Sequence, residues 1–269
     1  MTGPIGIVAL NVFRESVRDK VLYNLVFFAI LLMGASYLIG QLTAGQDVKI
    51  IKDLGLAATS IFGLFIAVFI GIGLVSKEVE KRSIYSLLAK PIERHHLVVG
   101  KYLGLVLTLA VNLGVMAIAL FVVLAYLRYV ADPNAAAGWD RPALDPRLLE
   151  AFLLTFFELA IVTAIAVFFS TFSTPILSAA FTFGFFVAGR FSADLRNFNE
   201  VVTSPVSSAL TTAIYWMLPN LSQFDVRAQV VHGVPVSATY MAMSGAYALL
   251  YITAMIVAAT AVFARRDFK

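Results

Sequence analysis

Residues 77–101 read KEVEKRSIYSLLAKPIERHHLVVGK, a charged segment between two long apolar runs without a charged residue. Glu78 and Arg82 are four residues apart, the spacing at which an acid and a base face each other on a helix. Pro91 lacks an N–H and restricts the residue before it, so one helix should end there and a second begin. The pattern predicts a bent helical segment at one face of a membrane; a plain solvated loop is the alternative interpretation.

The composition of the whole chain indicates a polytopic membrane protein. Hydrophobic residues make up 60% of the 269 residues and charged residues only 13%, which is more apolar surface than a soluble domain of this size could bury. The net charge of +4 is scattered between apolar runs and forms no patch for nucleic acid. The chain has no cysteine, and its three histidines lack the spacing of zinc ligands. We therefore expect no metal, no thiol catalysis and no nucleic-acid partner.

The charge-free runs predict a single all-α membrane domain with six transmembrane helices, since about 20 residues at 1.5 Å each cross the hydrocarbon core. An amphipathic helix precedes the first span. Residues 47–53 contain four charges and are interpreted as a short polar connection. The predicted elements are the amphipathic helix 5–20; the spans 21–46, 54–76, 102–127, 149–172, 175–191 and 239–264; the charged segment 77–101; and the segment 192–238 between the last two spans.

Two further patterns concern helix ends and helix contacts. Ser173-Thr174-Pro175 divides an apolar run that is too long for one helix. Glycines inside the spans predict close helix packing, because a residue without a side chain lets two backbones approach. These glycines are Gly63, Gly71 and Gly73 in the second span and the Gly100-x-x-x-Gly104 pair at the start of the third.

The distribution of lysine and arginine predicts the orientation of the spans. With six spans, most of the 20 basic residues lie on the side that carries both termini and residues 77–101. Positive residues favour the cytoplasm, so we expect both termini and residues 77–101 to be cytoplasmic. Residues 201–218 are moderately apolar, but a seventh span there would place the basic C-terminus on the opposite side. Residues 192–238 are therefore predicted to form an external cap of interfacial or re-entrant helices.

Glu158 is the candidate polar residue within the fourth span, about 12 Å from its start. A charged group there costs roughly 2.5–3.5 kcal/mol on insertion scales, so we expect it to face a cavity or a partner such as Arg190. Two interpretations stay open: a role in a path through the membrane, or a structural hydrogen bond. Asn112, which shares a face with Thr108 in the third span, is the second candidate for such a path.

Two catalytic interpretations are not supported by the residues. The sequence around Ser244 superficially resembles the serine motif of rhomboid-type intramembrane proteases, but that serine needs a histidine base, and all three histidines lie outside the predicted spans. A phosphate-binding loop needs Gly, four residues and Gly-Lys-Ser/Thr. The Gly-Lys pair at 100–101 has His95 and Tyr102 at the positions of the first glycine and the Ser/Thr. We therefore predict no catalytic residue and no enzyme activity in this chain.

Three sequence motifs, one in residues 77–101 and two near the C-terminus, carry a family resemblance. The C-terminal motifs are Leu-Pro-Asn-Leu at 218–221 with Phe224-Asp225, and Phe-x-Arg-Arg-Asp-Phe at 263–268. The first motif consists of Glu78, Glu80, Leu87, Leu88, Pro91, Ile92, Arg94 and Lys101. Together they resemble permease subunits of type-2 ABC transporters over essentially the whole chain. Similar members often have Gly where this chain has Arg82.

The resemblance implies a transport subunit with an N-terminal elbow helix and a coupling helix in residues 77–101 that docks on a separate ABC ATPase. ATP and Mg would be bound by that ATPase, and no cofactor by this chain. A second copy or a paralogue would complete a dimer in the inner membrane of a prokaryote. Export is expected, and the apolar spans favour a hydrophobic or amphipathic substrate. The alternative function is a non-transporting membrane scaffold that recruits a cytoplasmic partner. The expected ATPase contacts are Glu78, Glu80, Arg82, Tyr85, Leu88 and Arg94.

Overall fold

The structure is a computed structural model that describes residues 3–42, 46–80, 94–131, 136, 139, 141–192 and 218–265. Every regular element within these ranges is helical. The helices are α1 (Pro4–Val17), α2 (Lys20–Gln41), α3 (Asp47–Glu80), α4 (Arg94–Val130), α5 (Leu148–Ser170), α6 (Pro175–Arg190), α7 (Arg227–Val231) and α8 (Ala238–Arg265), with a 3₁₀ turn at Ser222–Phe224.

Five of the described helices are long and apolar enough to cross a membrane: α2, α3, α4, α5 and α8. The prediction of an all-α, multi-pass membrane protein is confirmed. Helix α6 is also apolar but has 16 residues, about 24 Å at the helical rise, less than the ~30 Å hydrocarbon core. The predicted count of six spans therefore holds only if α6 is counted as a span despite its length.

Polar residues and proline set the breaks between helices. The side chain of Asp19 caps α2 by accepting a hydrogen bond from the N–H of Val21 at 2.9 Å, which separates α2 from α1. Helix α5 ends at Ser170, and Pro175 lies at the start of α6, where its missing N–H has no intrahelical role. The predicted break at Ser173-Thr174-Pro175 is confirmed.

The interpretation of residues 47–53 as a polar connection is wrong. They form the first two turns of α3, which begins at Asp47, an acid in the turn where the helix dipole favours negative charge. Lys52 is fully buried in this helix, and its Nζ donates a hydrogen bond to the carbonyl oxygen of Pro142 at 2.9 Å. One of the three donors of this buried ammonium group thus finds its acceptor 90 residues away along the chain.

Helix α5 is the centre of the bundle. It is buried on nearly all sides and packs against α3, α4, α6 and α8. The outer helices α2 and α8 expose large apolar side chains such as Phe27, Leu31 and Leu250. Exposed apolar surface on this scale is typical of a face that contacts lipid or another membrane protein.

Glycines bring α3 close to α5. A Cβ at Gly71 would lie 2.6 Å from the Cβ of Ala166, and a Cβ at Gly63 would collide with Leu159. The prediction of close packing is confirmed for these two glycines. The surroundings of Gly73 lie outside the described part of the structure.

Gly100 and Gly104 form a groove on α4 that holds α1. A Cβ at Gly100 would lie 2.7 Å from the Cβ of Val8, and a Cβ at Gly104 would lie 2.5 Å from the carbonyl oxygen of Ala9. Val12 is buried at the same contact. The predicted small-residue contact is therefore confirmed, and its partner is the N-terminal amphipathic helix.

We predict that Gly104→Leu displaces α1 from α4, because the added side chain has no room between the two helices. A single cysteine introduced as Val12→Cys reports the displacement, since the chain has no other cysteine. Its labelling by a maleimide in membranes should rise severalfold. Gly114→Leu on the same helix is the matched control, because a Cβ there meets nothing within 4 Å. Equal labelling in both backgrounds would contradict the packing.

Candidate functional site

Helix α6 ends inside the bundle. Its last residue, Arg190, contacts Glu158, the eleventh residue of α5. At 1.5 Å per residue, Glu158 lies about 15 Å along α5 from its start. That start belongs to the outer end of the bundle, by which we mean the end opposite residues 77–101. The space beyond α6 at the outer end is therefore left to another part of the chain.

The described residues 218–231 occupy this space. The N–H of Leu221 donates to the carbonyl oxygen of Gly189 at 3.0 Å, which joins the segment to the last turn of α6. Leu221 and Phe224 are almost completely buried. This part of the predicted external segment 192–238 therefore enters the bundle and covers the end of α6.

A buried ion-pair network holds residues 218–231 against α6. The Nε of Arg190 lies 2.7 Å from one carboxylate oxygen of Glu158, and its Nη2 donates to the other at 2.9 Å. Nη2 also donates to the Oγ of Ser60 on α3 at 3.2 Å, and Nη1 donates to Asp225. One guanidinium thus joins α3, α5, α6 and residues 218–231. The pairing of Glu158 with Arg190 that we considered from the sequence is confirmed.

Asp225 is shared by two arginines. It accepts hydrogen bonds from Arg190 and, through both oxygens, from Arg227 at 2.9 Å each. Burial alone would raise the pKa of Asp225, but the hydrogen bonds from Arg227 and the charge of Arg190 outweigh it and lower the pKa to about 2. Two guanidiniums therefore face the two carboxylates of Glu158 and Asp225, and the charges of the network balance.

Asn220 ties the same segment to α8. Its backbone N–H donates to the hydroxyl of Tyr247 at 2.9 Å, and its side-chain oxygen accepts from Ser192 at 3.1 Å and from Ser222 at 2.7 Å. The rings of Phe224 and Tyr247 lie 6.4 Å apart, centroid to centroid. The two neighbouring motifs at 218–221 and 224–225 therefore make the contacts that hold this segment in the bundle.

The network holds helices together. Its four charged residues face one another, and the described residues contain no group of three or more His, Asp or Glu placed to hold a metal. The side chain of Glu158 is only 1% exposed. Its role in a translocation path stays a prediction. So does that of Asn112, a half-buried side chain that donates to the carbonyl oxygen of Thr108 at 2.7 Å.

Sequence reasoning missed Ser60, Arg227 and Tyr247 as members of this site. Ser60 lies in a charge-free run, where a single hydroxyl carries no signal. Arg227 stands two residues after Asp225, a spacing that fits a local ion pair and could have pointed to it. Tyr247 lies in an apolar span and could not have been distinguished from a lipid-facing aromatic residue.

The predicted ATPase contacts fall at the edge of the described residues. Helix α3 reaches Glu80, and α4 begins at Arg94. The side chains of Glu78, Glu80 and Arg94, and all of Arg82, Tyr85 and Leu88, lie outside what the structure describes. Docking through these residues stays a prediction.

Residues 7–268 match the family model for ABC-2 family transporter proteins, which spans the bundle from α1 to α8. The chain belongs to the ABC-2 transporter family. None of the curated proteins compared with it gives a significant match. Membership of the ABC-2 family identifies the chain as a membrane transport subunit, in a family whose permeases generally work with an ABC ATPase.

In this ABC-2 family protein, Arg190→Met should lower the free energy of unfolding by about 3–5 kcal/mol, because it leaves the buried Glu158 without its counter-charge. Adding Glu158→Gln should restore part of the loss, since the orphaned charge is removed as well. Unfolding of the purified variants in mixed micelles measures both effects. Arg128→Met, at an exposed helix end, is the control and should change the free energy by about 0.5 kcal/mol or less. A double variant no more stable than Arg190→Met would contradict the pairing.

The low pKa of Asp225 predicts a pH dependence of stability. A carboxyl whose pKa is lowered on folding stabilises the fold at pH values above its ordinary pKa of 3.8, and this contribution is lost as the pH falls toward about 2. Asp225→Asn should therefore be less stable than the wild-type protein by a constant margin from pH 7 to about pH 5. Thermal unfolding at lower pH should show the margin narrowing. A margin that does not change down to pH 2 would contradict the ion pair.

Proposed function

We propose that this ABC-2 family protein is the membrane-spanning subunit of an ATP-driven exporter in the inner membrane of a prokaryote, with six spans and both termini in the cytoplasm. Residues 77–101 dock on a separate ABC ATPase, which binds ATP and Mg. Two copies of the chain, or the chain and a paralogue, enclose the translocation path. The family match over residues 7–268 is the observation that carries the proposal.

The lengths of α3 and α4 support docking at one end of the bundle. The two helices have 34 and 37 residues, about 51 and 56 Å at the helical rise. Both are longer than the ~30 Å hydrocarbon core, and residues 81–93 connect them. A force on this connection therefore acts directly on two helices that also cross the membrane.

Helix α3 would transmit such a force to the buried network. Gly63 and Gly71 hold it close to α5, and Ser60 contacts Arg190. A closely packed helix moves as a rigid element, so a push near Glu80 tilts α3 as a whole. The tilt shifts Ser60 relative to Arg190. In this proposal, closure of the ATPases around ATP weakens the contacts that hold residues 218–231 at the outer end.

The predicted path residues fit this cycle only in an opened state. Glu158 is buried against Arg190 here and would reach a substrate after the network separates. Asn112 is half-buried on α4 and adds one amide to the interior. Most of the other buried residues are apolar, which suits a hydrophobic or amphipathic substrate.

Purification of the tagged protein from its native host in a mild detergent tests the proposal. We expect a stoichiometric ABC ATPase to copurify and to hydrolyse ATP in a vanadate-sensitive reaction. If the protein is purified intact and folded but no ATPase copurifies with it, the ATP-driven transporter is rejected and the membrane scaffold is supported.

Reversal of two charges, Glu78→Lys with Glu80→Lys, should separate the permease from its ATPase, because both residues lie in the docking segment. We expect at least about tenfold less copurifying ATPase and uncoupled transport, with normal membrane insertion. Asp47→Lys with Asp53→Lys makes the same change of charge at the other end of α3 and should leave the ATPase bound. Normal transport by the Glu78 and Glu80 variant would reject the docking assignment.

A further inference from the structure

Residues 141–147 lie at the outer end of the bundle, immediately before α5. We call them the outer strap, because they contact two elements from distant parts of the chain. One is the start of α3, and the other is the connection between α7 and α8, residues 232–237. A movement of one of these elements can therefore reach the other through the outer strap.

The start of α3 holds the outer strap through Lys52. The side chain of Lys52 is fully buried, and its Nζ donates a hydrogen bond to the carbonyl oxygen of Pro142 at 2.9 Å. The carboxylate of Asp145, which is also buried, acts on Lys52 as an opposite charge. Separating the ammonium group from these partners would leave a buried charge uncompensated, which is strongly disfavoured. We therefore expect the outer strap to follow α3 when α3 moves.

Two arginines of the outer strap hold a single turn in residues 232–237. Nη1 of Arg147 donates a hydrogen bond to the carbonyl oxygen of Gly233 at 2.6 Å. Gly233 has φ +69°, a left-handed conformation that residues with a side chain rarely adopt. A Cβ at Gly233 would also collide with the side chain of Arg141. Glycine at this position thus permits both the turn and the close packing of the strap against it.

The turn at Gly233 is joined to the end of α7 by backbone hydrogen bonds. The N–H of Gly233 donates to the carbonyl oxygen of Val230 at 3.0 Å, and the N–H of Val234 donates to that of Gln229 at 2.8 Å. Helix α7 is the last part of residues 218–231, which cover the end of α6. The outer strap therefore reaches this covering segment through its C-terminal helix.

Helix α3 contacts both attachments of residues 218–231. The ion-pair network attaches the segment through Asp225, and Ser60 of α3 is a member of that network. The outer strap attaches the segment through Gly233, and Lys52 of α3, about two turns before Ser60, holds the strap. The two attachments thus depend on the same helix.

We propose that the outer strap links residues 232–237 to the start of α3, so that this connection shifts with α3 and not independently of it. The link is a property of the resting protein. Its use in transport rests on the proposed function, in which closure of the ATPases tilts α3. The tilt would then act on both attachments of residues 218–231 at once.

Labelling of a single cysteine in the purified full-length protein, with any copurifying ATPase retained, tests the link. Val236→Cys is the reporter, because Val236 lies in the linked connection with 8% of its surface exposed and the chain has no other cysteine. Val12→Cys, at the buried contact between α1 and α4, is a second reporter in a separate protein. It detects a general loss of structure, because the outer strap does not reach it.

Two substitutions cut the link at different ends. Lys52→Met removes the donor to Pro142, and Arg147→Met removes the donor to Gly233. Arg128→Met removes a positive charge from an exposed position at the outer end and is the matched control. Each cutting variant should raise the maleimide labelling rate at position 236 about tenfold, since the loss of one charged hydrogen bond favours local opening by such a factor.

The double variant distinguishes a link from two separate effects. Because a link cut at either end releases the same connection, Lys52→Met with Arg147→Met should label no faster than about the quicker single variant. No rise in Lys52→Met, an equal rise in Arg128→Met, or rises that multiply in the double variant would overturn the link. A rise that the Val12→Cys reporter shares would overturn it as well, because the effect would then be general unfolding.

Trapping with ATP and vanadate separates the link from the proposed function. In the wild-type background, trapping should change the labelling rate at position 236, and Lys52→Met should abolish this response. A response that Lys52→Met keeps in full would overturn the link. If Lys52→Met and Arg147→Met behave as expected at rest but ATP changes nothing in the wild type, the link is supported and the ATP-driven tilt of α3 is rejected.

Discussion

A guanidinium inside an apolar bundle is the constraint on which the rest of this structure depends. Arg190 ends α6 within the bundle, where an unpaired cation would cost several kcal/mol. Glu158 and Asp225 bring the opposite charges from two other elements, so α5 and residues 218–231 have to meet at the end of α6. The shortness of α6, the entry of the segment into the bundle and the burial of its apolar side chains therefore form one arrangement.

Helix α3 connects the buried ion-pair network with the segment that we expect to dock on an ATPase. Ser60 contacts the ion-pair network, and the end of α3 leads into residues 77–101. The glycines that hold α3 against α5 leave little room for bending between these points. ATPase docking at the end of α3 would therefore reach the contact between Ser60 and Arg190 through one rigid element.

The parts of the fold that could be predicted depend on short stretches of chain. Long apolar runs marked the spans, and Pro175 marked the start of α6, since hydropathy and proline geometry act locally. The start of α3 was misplaced because the burial of Lys52 depends on a carbonyl 90 residues away. The depth of Glu158 showed that it needed a partner, and Arg190 could be suggested. Asp225 and Ser60 could not, because they reach Arg190 only where α6 ends within the bundle.

The ribosome synthesises the groove of Gly100 and Gly104 after the helix that occupies it. During synthesis, α1 leaves the ribosome before α4, and the glycines that receive Val12 follow only about 90 residues later. Until then, the apolar face of α1 has no protein surface to cover it, and the membrane interface is the surface that suits an amphipathic helix. The packing of α1 on α4 therefore forms late in synthesis, and it requires that the third predicted span is already in position.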